Sequence, residues 1–353
     1  LGIMIRTLPR VRRPAEAHGK RQDVHRGCEI RSVYAGIAGS HIKGFNSHGV
    51  IAVKGGEVSP RDIERALDAA KAVAIPLDRE VIHILPQEYI VDDQRGIADP
   101  MGMAGVRLEV KVHIVTGAVT SAQNIVRSCH KSGLDVSDIV LESLASAKAV
   151  LTEEEREIGV ALIDLGGGTC DIAIFANDSI KHTGVLALGG QNLTNDIAFG
   201  LRTPMAAAEK IKIKHGAAIA EMVRPDEYIE VPSVREPRRL SRQVLAEICE
   251  PRMEEILTLL DQELVRSGLK NMIGAGVVLT GGTALIQGCQ ELGEQVFNLP
   301  TRIGYPRNVG GLKDMVNSPK FATAMGLLRF GAEKEGMEQK FRIRSDGNVF
   351  NSI

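Results

Sequence analysis

The most regular pattern of hydrophobic and polar positions lies at residues 159–175, GVALIDLGGGTCDIAIF. Residues 160–163 are an unbroken apolar run, which is typical of a buried strand. Ile172 and Ile174 are two positions apart, so their side chains share one face of a second strand. Asp164 and three consecutive glycines lie between the two runs. The pattern therefore predicts a strand, a glycine turn and a second strand.

Residues 28–116 have the pattern of a small α+β unit. Alternation is clearest at 107–116, RLEVKVHIVT, which predicts a half-buried strand with His113 facing the surface. Ser59 and Pro60 predict the start of a helix that runs to about residue 73. Further strands are predicted at 31–37 and 49–53, and apolar segments at 81–84 and 89–91 flank a break at Pro86. The unit carries no catalytic constellation.

The rest of the chain alternates predicted helices with short apolar strands. A second glycine turn enters a helix at 188–199, and a strand runs into paired glycines at 274–284. The other helices are predicted at 121–133, 203–214, 241–267 and 321–330.

Both ends of the chain lack such a pattern. Residues 1–27 contain seven Lys or Arg and two acidic residues, and we interpret them as a basic head that is expected to be disordered. A basic arm, a transit peptide and a wrongly assigned start, suggested by Leu1, remain open. Residues 331–353 form a polar tail that is also expected to be disordered.

Composition narrows the class of protein. The chain has 353 residues, 44% of them hydrophobic, which predicts two or more domains with large cores. Its net charge of −1 gives no field that favours nucleic acid or a membrane surface, and 3% aromatic residues argue against a base-stacking platform. Five cysteines without a C-x-x-C pair predict a reducing compartment, and no apolar run reaches the ~20 residues that span a bilayer. A cytoplasmic protein is expected.

The glycine turn has the chemistry of a phosphate-binding hairpin. Consecutive glycines let the backbone approach a ligand, and their N–H groups can cradle an anion. A carboxylate at the strand end can hold a hydrated divalent cation, and a threonine hydroxyl can donate to phosphate. The alternative is an ordinary hairpin. The residues concerned are Asp164, Gly166, Gly167, Gly168, Thr169 and Asp171.

A second glycine turn, Gly281, Gly282 and Thr283, follows another apolar strand. Two such turns far apart in sequence suggest a nucleotide held between them, with phosphates at one and adenosine at the other. The sequence contains neither the G-x-G-x-x-G fingerprint opening a helix nor G-x-x-x-x-G-K-[ST], which disfavours Rossmann and P-loop enzymes.

Three other charged residues have open interpretations. Glu209 and Lys212 are three apart on one helix face, so they form either a weak surface ion pair or a clamp for vicinal hydroxyls. Glu142 stands alone in an apolar stretch, and its simplest interpretation is an exposed carboxylate at a helix N-terminus.

Together these motifs resemble the actin-like ATPase superfamily. Residues 164–171 resemble its second phosphate hairpin, and residues 279–283 resemble its adenosine motif. Within that superfamily the chain is similar to the FtsA family of bacterial cell-division proteins, from about residue 28 to about residue 331. The segments that carry the similarity are CEIRSVYAGIAGSHI (28–42), LPQEYIVDDQRGI (85–97), GVRLEVKVHIVT (105–116), LASAKAVLTEEEREIGV (144–160), RTPMAAAEKIKIKHG (202–216) and VVLTGGTALIQG (277–288).

The resemblance implies an α/β fold of the actin-like (ribonuclease H-like) type, with two lobes and the extra domain of this family. No segment of residues 1–27 matches the family's first phosphate loop, so the first lobe is expected to be incomplete and the gene model truncated or misannotated. The implied divisions are 28–116 for an SHS2-like extra domain, 117–137 for the remaining first lobe, 138–187 with 275–330 for the second-lobe nucleotide domain, and 188–272 for a subdomain over the nucleotide.

The resemblance also implies roles for the residues. ATP and Mg²⁺ are the implied cofactors, with Asp164 holding the metal through water and residues 166–169, with Asp171, on the phosphates. Residues 281–283 would hold the adenosine, Glu209 and Lys212 the ribose, and Glu142 the attacking water. Hydrolysis is expected to be slow at most.

The implied partners are other copies of the chain, further divisome proteins and FtsZ, whose C-terminal peptide would dock on the subdomain at 188–272. The location implied is the cytoplasmic face of the inner membrane at the division site, although the tail shows no amphipathic membrane helix. A partner-binding pseudo-ATPase and a metabolic kinase remain as alternatives. The proposed peptide contacts, which an exposed loop would explain equally well, are Arg235, Arg238, Arg239 and Arg242.

Overall fold

The computed structural model describes residues 4–6, 31–232, 237–308 and 316–346. Its strands are β1 (Met4–Arg6), β2 (Ser32–Ile37), β3 (Lys43–Ala52), β4 (Arg79–Val91), β5 (Gln94–Ile97), β6 (Arg107–Ala118), β7 (Asp135–Leu141), β8 (Val160–Leu165), β9 (Cys170–Ala176), β10 (Ser179–Leu186), β11 (Tyr228–Val231), β12 (Arg238–Ser241), β13 (Val277–Thr280) and β14 (Thr301–Ile303). Its helices are α1 (Pro60–Lys71), α2 (Val119–Lys131), α3 (Glu142–Val150), α4 (Glu153–Ile158), α5 (Gly190–Leu201), α6 (Met205–His215), α7 (Arg242–Arg266), α8 (Cys289–Phe297) and α9 (Ala322–Asp346).

The described strands form separate sheets for the two lobes and for the inserted unit. The first-lobe sheet has the order β1-β2-β7, and the second-lobe sheet has the order β10-β9-β8-β13-β14. The inserted sheet has the order β3-β6-β4-β5, while β11 and β12 form a two-stranded ribbon. Helices and strands alternate in both lobes, as an α/β fold requires.

The core of the second lobe is built on β8 and β9, in which every residue is buried. Because side chains alternate along a strand, Ile163 packs on one side of the sheet with α5, α7 and α8. Leu162 packs on the other side with α3 and α9. Full burial of each such side chain stabilises the fold by roughly 1.5–3 kcal/mol. The two layers hold the turn after β8 on a rigid support.

The inserted sheet packs against α1 on one face. Ser59 is the N-cap of α1: its hydroxyl accepts from the Asp62 amide and the Asp62 carboxylate accepts from the Ser59 amide, so the predicted helix start is confirmed. A Cβ at Gly49 would lie 2.2 Å from the Ala66 carbonyl oxygen. The absence of a side chain there lets the helix approach the sheet closely.

The inserted unit contacts both lobes through polar side chains. The His83 Nε2 atom accepts a hydrogen bond from the Leu141 amide at the end of β7, at 2.9 Å. On the other side, Gln87 donates to the Ile180 carbonyl in β10 at 2.7 Å. The prediction that His113 faces the surface is wrong, because it is 1% exposed and packs against β10. The alternation correctly places His113 on the face of the sheet opposite to its apolar neighbours, but the second lobe covers that face.

Two expectations of disorder are wrong in part. Residues 4–6 form strand β1, which pairs antiparallel with β2, and backbone pairing needs no side-chain period. Helix α9 continues to Asp346 through the polar tail, because each added residue adds one helical hydrogen bond to a helix already packed at its start. The remainder of the predicted head and tail lies outside the described residues.

Candidate functional site

The turn between β8 and β9 lies at the carboxyl end of β8. Asp164 pairs with Asp171 across the hairpin, and Leu165 pairs with Cys170. The Gly166 amide closes the turn by donating to the Thr169 carbonyl at 3.0 Å. The predicted strand, glycine turn and strand are therefore confirmed.

The carbonyl oxygens of this turn face helix α5. Gly190 and Gln191, the first residues of α5, donate their amides to the carbonyls of Gly166 and Gly167 at 3.0 and 2.7 Å. In a trans peptide the N–H points opposite to the carbonyl, so the amides of Gly167 and Gly168 point away from α5. A Cβ at either glycine would meet no atom within 4 Å. The turn thus presents N–H groups to open space, as an anion cradle does.

The turn after β13 lies beside this cradle. Strand β13 runs parallel to β8, with Thr280 level with Asp164. Gly281 has a φ of +88°, and a Cβ there would lie 2.4 Å from the Asp164 Oδ1 atom. The Thr283 hydroxyl donates to the Gly166 carbonyl at 2.9 Å. The fold therefore brings the two glycine turns predicted from sequence into direct contact.

Asp164 is held by hydroxyl groups from distant parts of the chain. Its Oδ2 atom accepts hydrogen bonds from Ser146 at 2.6 Å and from Thr323 at 3.2 Å. Burial raises the pKa of Asp164 above its ordinary value, and these two bonds oppose that rise. Sequence reasoning missed Ser146 and Thr323, because no pattern along the chain relates these two distant positions, although Ser146 lies in the segment 144–160 that carries the family resemblance.

Asp171 has one carboxylate oxygen that lacks a hydrogen-bond partner within the described structure. Its Oδ2 atom accepts from the Thr169 hydroxyl at 3.0 Å, whereas its buried Oδ1 atom has no hydrogen-bond partner in the described structure. Burial, followed by the charges of Asp164 and Glu142, raises the pKa of Asp171 to about 7. A cation bound here would reduce the repulsion between these like charges and would give the unbonded oxygen a partner.

Glu142 is the first residue of α3, directly after β7. Its side chain lies over Gly36, where a Cβ would be 3.0 Å from both its Cγ and its Oε1 atoms. The glycine therefore leaves room for the carboxylate. Its charge reaches Asp171, since it contributes to the raised pKa of that group.

Glu209 and Lys212 form an ion pair of 2.7 Å on α6. Lys212 is buried, and its ammonium group also donates to the Gly190 carbonyl and to the Thr194 hydroxyl, each at 2.9 Å. Thr194 bonds to Glu209 in turn. The pair is therefore part of the packing between α5 and α6 behind the cradle, and a purely surface ion pair does not describe it.

A cleft of about 780 Å³ separates the lobes at this site. Within the described residues no three His, Cys, Asp or Glu side chains converge as a direct metal site, so a cation would need water or ligand oxygens as well. The lining residues are Ala38, Gly39, His41, Ser121, Asn124, Ile125, Ser128, Cys129, Glu142, Asp164, Gly166, Gly167, Gly168, Thr169, Asp171, Gly281, Gly282, Pro319, Lys320 and Thr323.

The three arginines of this cluster that the structure describes do not form one free basic patch. Arg242 is committed to internal hydrogen bonds, with Glu227 at 2.6 Å and with the His215 carbonyl at 2.8 Å. Arg238 donates to the Leu201 carbonyl, and Arg239 lies 4.3 Å above the ring of Tyr228. Arg235 lies outside the described residues.

Comparison with known proteins identifies the family to which this chain is related. The family model "Cell division protein FtsA" matches residues 161–326, and the model "SHS2 domain inserted in FTSA" matches residues 39–116. The FtsA of Pseudomonas aeruginosa is 53% identical over 311 residues, covering 88% of this chain and 75% of that relative. The chain belongs to the FtsA family. The FtsA of Escherichia coli K12 is 42% identical over 315 residues, with 87% of this chain and 75% of that protein covered.

FtsA membership confirms the resemblance and the predicted fold class. A solved chain of the PilM-PilN type IV pilus biogenesis complex has the same fold, with a TM-score of 0.58 at 15% identity over 86% of this chain and 80% of that one. The chain is thus an actin-like cell-division protein with the inserted SHS2 domain. The metabolic-kinase alternative loses its support. Among the described helices of this FtsA-family chain, none has the length and apolar composition to cross a bilayer.

Proposed function

We propose that this chain binds ATP with Mg²⁺ in the cleft between its lobes. The observation that carries the proposal is the contact between two glycine turns beside two buried carboxylates, one with an unbonded oxygen. The outward amides of Gly167 and Gly168 suit phosphate oxygens, which supports a phosphate site at 166–169. Mg²⁺, when bound, would neutralise charge on phosphate and on Asp164 and Asp171.

The remaining site residues take the roles that the family resemblance implies. The turn at 281–283 would border the adenosine, and Glu209 with Lys212 would contact the ribose, although the pair does not line the cleft and packs between α5 and α6. Glu142, across the cleft from the hairpin, would position water for slow hydrolysis. The roles of Glu142 and of the 281–283 turn rest on their placement at the cleft, whereas the role of Glu209 and Lys212 rests on family membership.

We further propose that the chain polymerises and recruits the C-terminal peptide of FtsZ at the division site, on the cytoplasmic face of the inner membrane, with other divisome proteins. Family membership supports this proposal. The ribbon β11–β12 offers the exposed Arg238 and Arg239 beside Tyr228, a combination that suits a peptide with both acidic and apolar groups. Arg242 would support this surface through its bond to Glu227 rather than contact the peptide.

Calorimetry with Mg-ATP on the whole chain tests the nucleotide site. We expect binding in wild type, and binding weakened at least about tenfold in Asp164→Asn, since removing one carboxylate charge removes a favourable charge–cation interaction. Asp178→Asn, an exposed carboxylate between β9 and β10, is the matched control. A folded wild-type chain that binds no Mg-ATP would contradict the proposal and leave the partner-binding pseudo-ATPase.

Binding of a labelled FtsZ C-terminal peptide tests the partner site. Arg239→Glu should weaken it, whereas Arg95→Glu, an exposed arginine in the inserted domain, should leave it unchanged. If the two variants bind the peptide with equal affinity, the peptide site does not lie on the ribbon.

A further inference from the structure

The inserted SHS2 domain contacts the backbone just before Glu142 through the His83 side chain. The His83 Nε2 atom accepts a hydrogen bond of 2.9 Å from the amide of Leu141, the residue that directly precedes Glu142. Strand β7 lies at the edge of the described first-lobe sheet, so no strand of that sheet pairs with the amides on its outer side. A buried amide without a partner costs about 1–3 kcal/mol, and His83 supplies that partner at the last strand residue.

A β-bulge in β4 directs His83 to this position. Val81 pairs with Thr116 and His83 pairs with Val115, so one extra residue, Ile82, is accommodated in β4. A bulge changes which residues face each side of a sheet, and bulges commonly re-aim a side chain near a functional site. Without it, the alternation would place Ile82 opposite Val115.

His83 is suited to accept rather than donate at this bond. Burial lowers its pKa to about 4; the charge of Asp138 opposes this to a smaller extent and that of Lys334 adds to it, so the imidazole is neutral near pH 7. A neutral imidazole has one nitrogen that accepts and one that donates. Because Nε2 faces an N–H group, the proton must reside on Nδ1.

The corner between β7 and α3 is consequently held on two sides. Gly36 lies beneath the Glu142 side chain, and His83 holds the backbone immediately before it. Leu141, the N-cap residue of α3, makes no side-chain cap, so the helix start depends on backbone contacts. Displacement of a water-positioning carboxylate by about 1 Å can cost roughly 100-fold in rate.

We propose that His83 is a positioning residue for Glu142, through which the inserted domain takes part in ATP hydrolysis. The inference rests on the proposed nucleotide function. His83 does not line the cleft and would touch neither nucleotide nor water. It fixes the peptide that sets the direction of Glu142, and therefore affects turnover rather than affinity for ATP.

Two substitutions of equal length separate positioning from packing. His83→Gln retains an acceptor near the Nε2 position, whereas His83→Met fills similar space with a much weaker acceptor. His48→Met, at an exposed histidine of the same domain, is the control. Calorimetry gives the Kd for Mg-ATP, and single-turnover assays give the hydrolysis rate at saturating ATP.

We expect His83→Met to lower the hydrolysis rate roughly 10- to 100-fold while its Kd stays within about twofold of wild type. His83→Gln should recover most of the rate, and Glu142→Gln with His83→Met should be no slower than Glu142→Gln alone. Equal rates in wild type and His83→Met, or parallel losses of affinity and rate in both variants, overturn the proposal.

A spectroscopic measurement remains informative if His83→Met fails to fold. Imidazole ¹⁵N shifts of the wild-type chain should show His83 protonated at Nδ1 and accepting at Nε2. A proton on Nε2 overturns the inference. A chain that binds ATP without any turnover also overturns it but leaves the nucleotide site standing, whereas a chain that binds no ATP removes the proposed function itself.

Discussion

The Nε2 atom of His113 in the inserted domain lies 2.9 Å from the Oγ1 atom of Thr183 in β10. The other ring nitrogen of His113 lies 2.7 Å from the Asn46 Oδ1 atom, so both nitrogens have partners. Gly44 permits this contact, since a Cβ there would lie 2.2 Å from the Thr183 hydroxyl oxygen. Strand β10 pairs in turn with β9, which carries Asp171. The inserted domain is therefore bonded to the back of the candidate phosphate hairpin.

Replacement of Thr183 by valine should destabilise the chain. The change keeps the shape but leaves the buried His113 nitrogen unpaired, at a cost of about 1–3 kcal/mol. Urea unfolding at neutral pH measures the loss, and Thr183→Ser, which keeps the hydroxyl, should lose less. A valine variant as stable as wild type would show that the bond contributes nothing.

Acid should destabilise the fold through His83 and His113. Burial lowers the pKa of each to about 4. The unfolded chain binds these protons near pH 6.5, so the stabilisation is complete above that pH and is lost as the pH falls towards 4, at about 1.4 kcal/mol per pH unit for each histidine. Asp171 acts in the opposite direction, because its raised pKa of about 7 makes the folded state bind a proton first, and its contribution grows as the pH falls.

Urea unfolding at several pH values between about 4 and about 7, compared for wild type and His113→Gln, separates the contribution of one histidine from those of Asp171 and the other titrating groups. His113→Gln should weaken the pH dependence of the free energy of unfolding by about one proton. Identical slopes for wild type and variant would contradict the buried neutral state of His113.

Asp171→Asn should have opposite effects on folding and on binding. Above about pH 8 the variant removes a buried charge beside Asp164 and Glu142, so the nucleotide-free chain should become more stable. Mg-ATP affinity should fall, since a carboxylate that favours the cation is lost. Thermal unfolding with and without Mg-ATP measures both effects, with Asp178→Asn as control. A loss of stability without nucleotide would show that the Asp171 charge is already compensated.

Gly281→Ala and Gly167→Ala should separate a folding requirement from a binding requirement. Gly281 has positive φ, and its Cβ would collide with Asp164 and the Leu165 carbonyl, so alanine should destabilise the fold by about 2 kcal/mol or more. Gly167 has open space at its Cβ, so alanine there should fold normally and weaken Mg-ATP binding by obstructing the cradle. Unchanged ATP affinity in a folded Gly167→Ala chain would place the phosphates elsewhere.

The local structure of the site could be predicted from sequence because it depends on near neighbours. The hairpin from β8 to β9 follows from apolar runs on either side of consecutive glycines, and its turn closes between Gly166 and Thr169. The glycine turn at 281–283 follows from the same pattern. The motifs also identified the family, since they extend over most of the chain.

The tertiary structure decided the environment of these residues. Asp164 is bonded to Ser146 and Thr323, which lie on different helices, and no local pattern relates those positions. The burial of His113 and the internal bonds of Arg242 likewise depend on elements distant in the chain. Local hydrogen bonding and hydrophobic period determine which elements form and where the turns lie. Burial, charge and bonding partners are set only when those elements pack, because each depends on groups that the sequence separates.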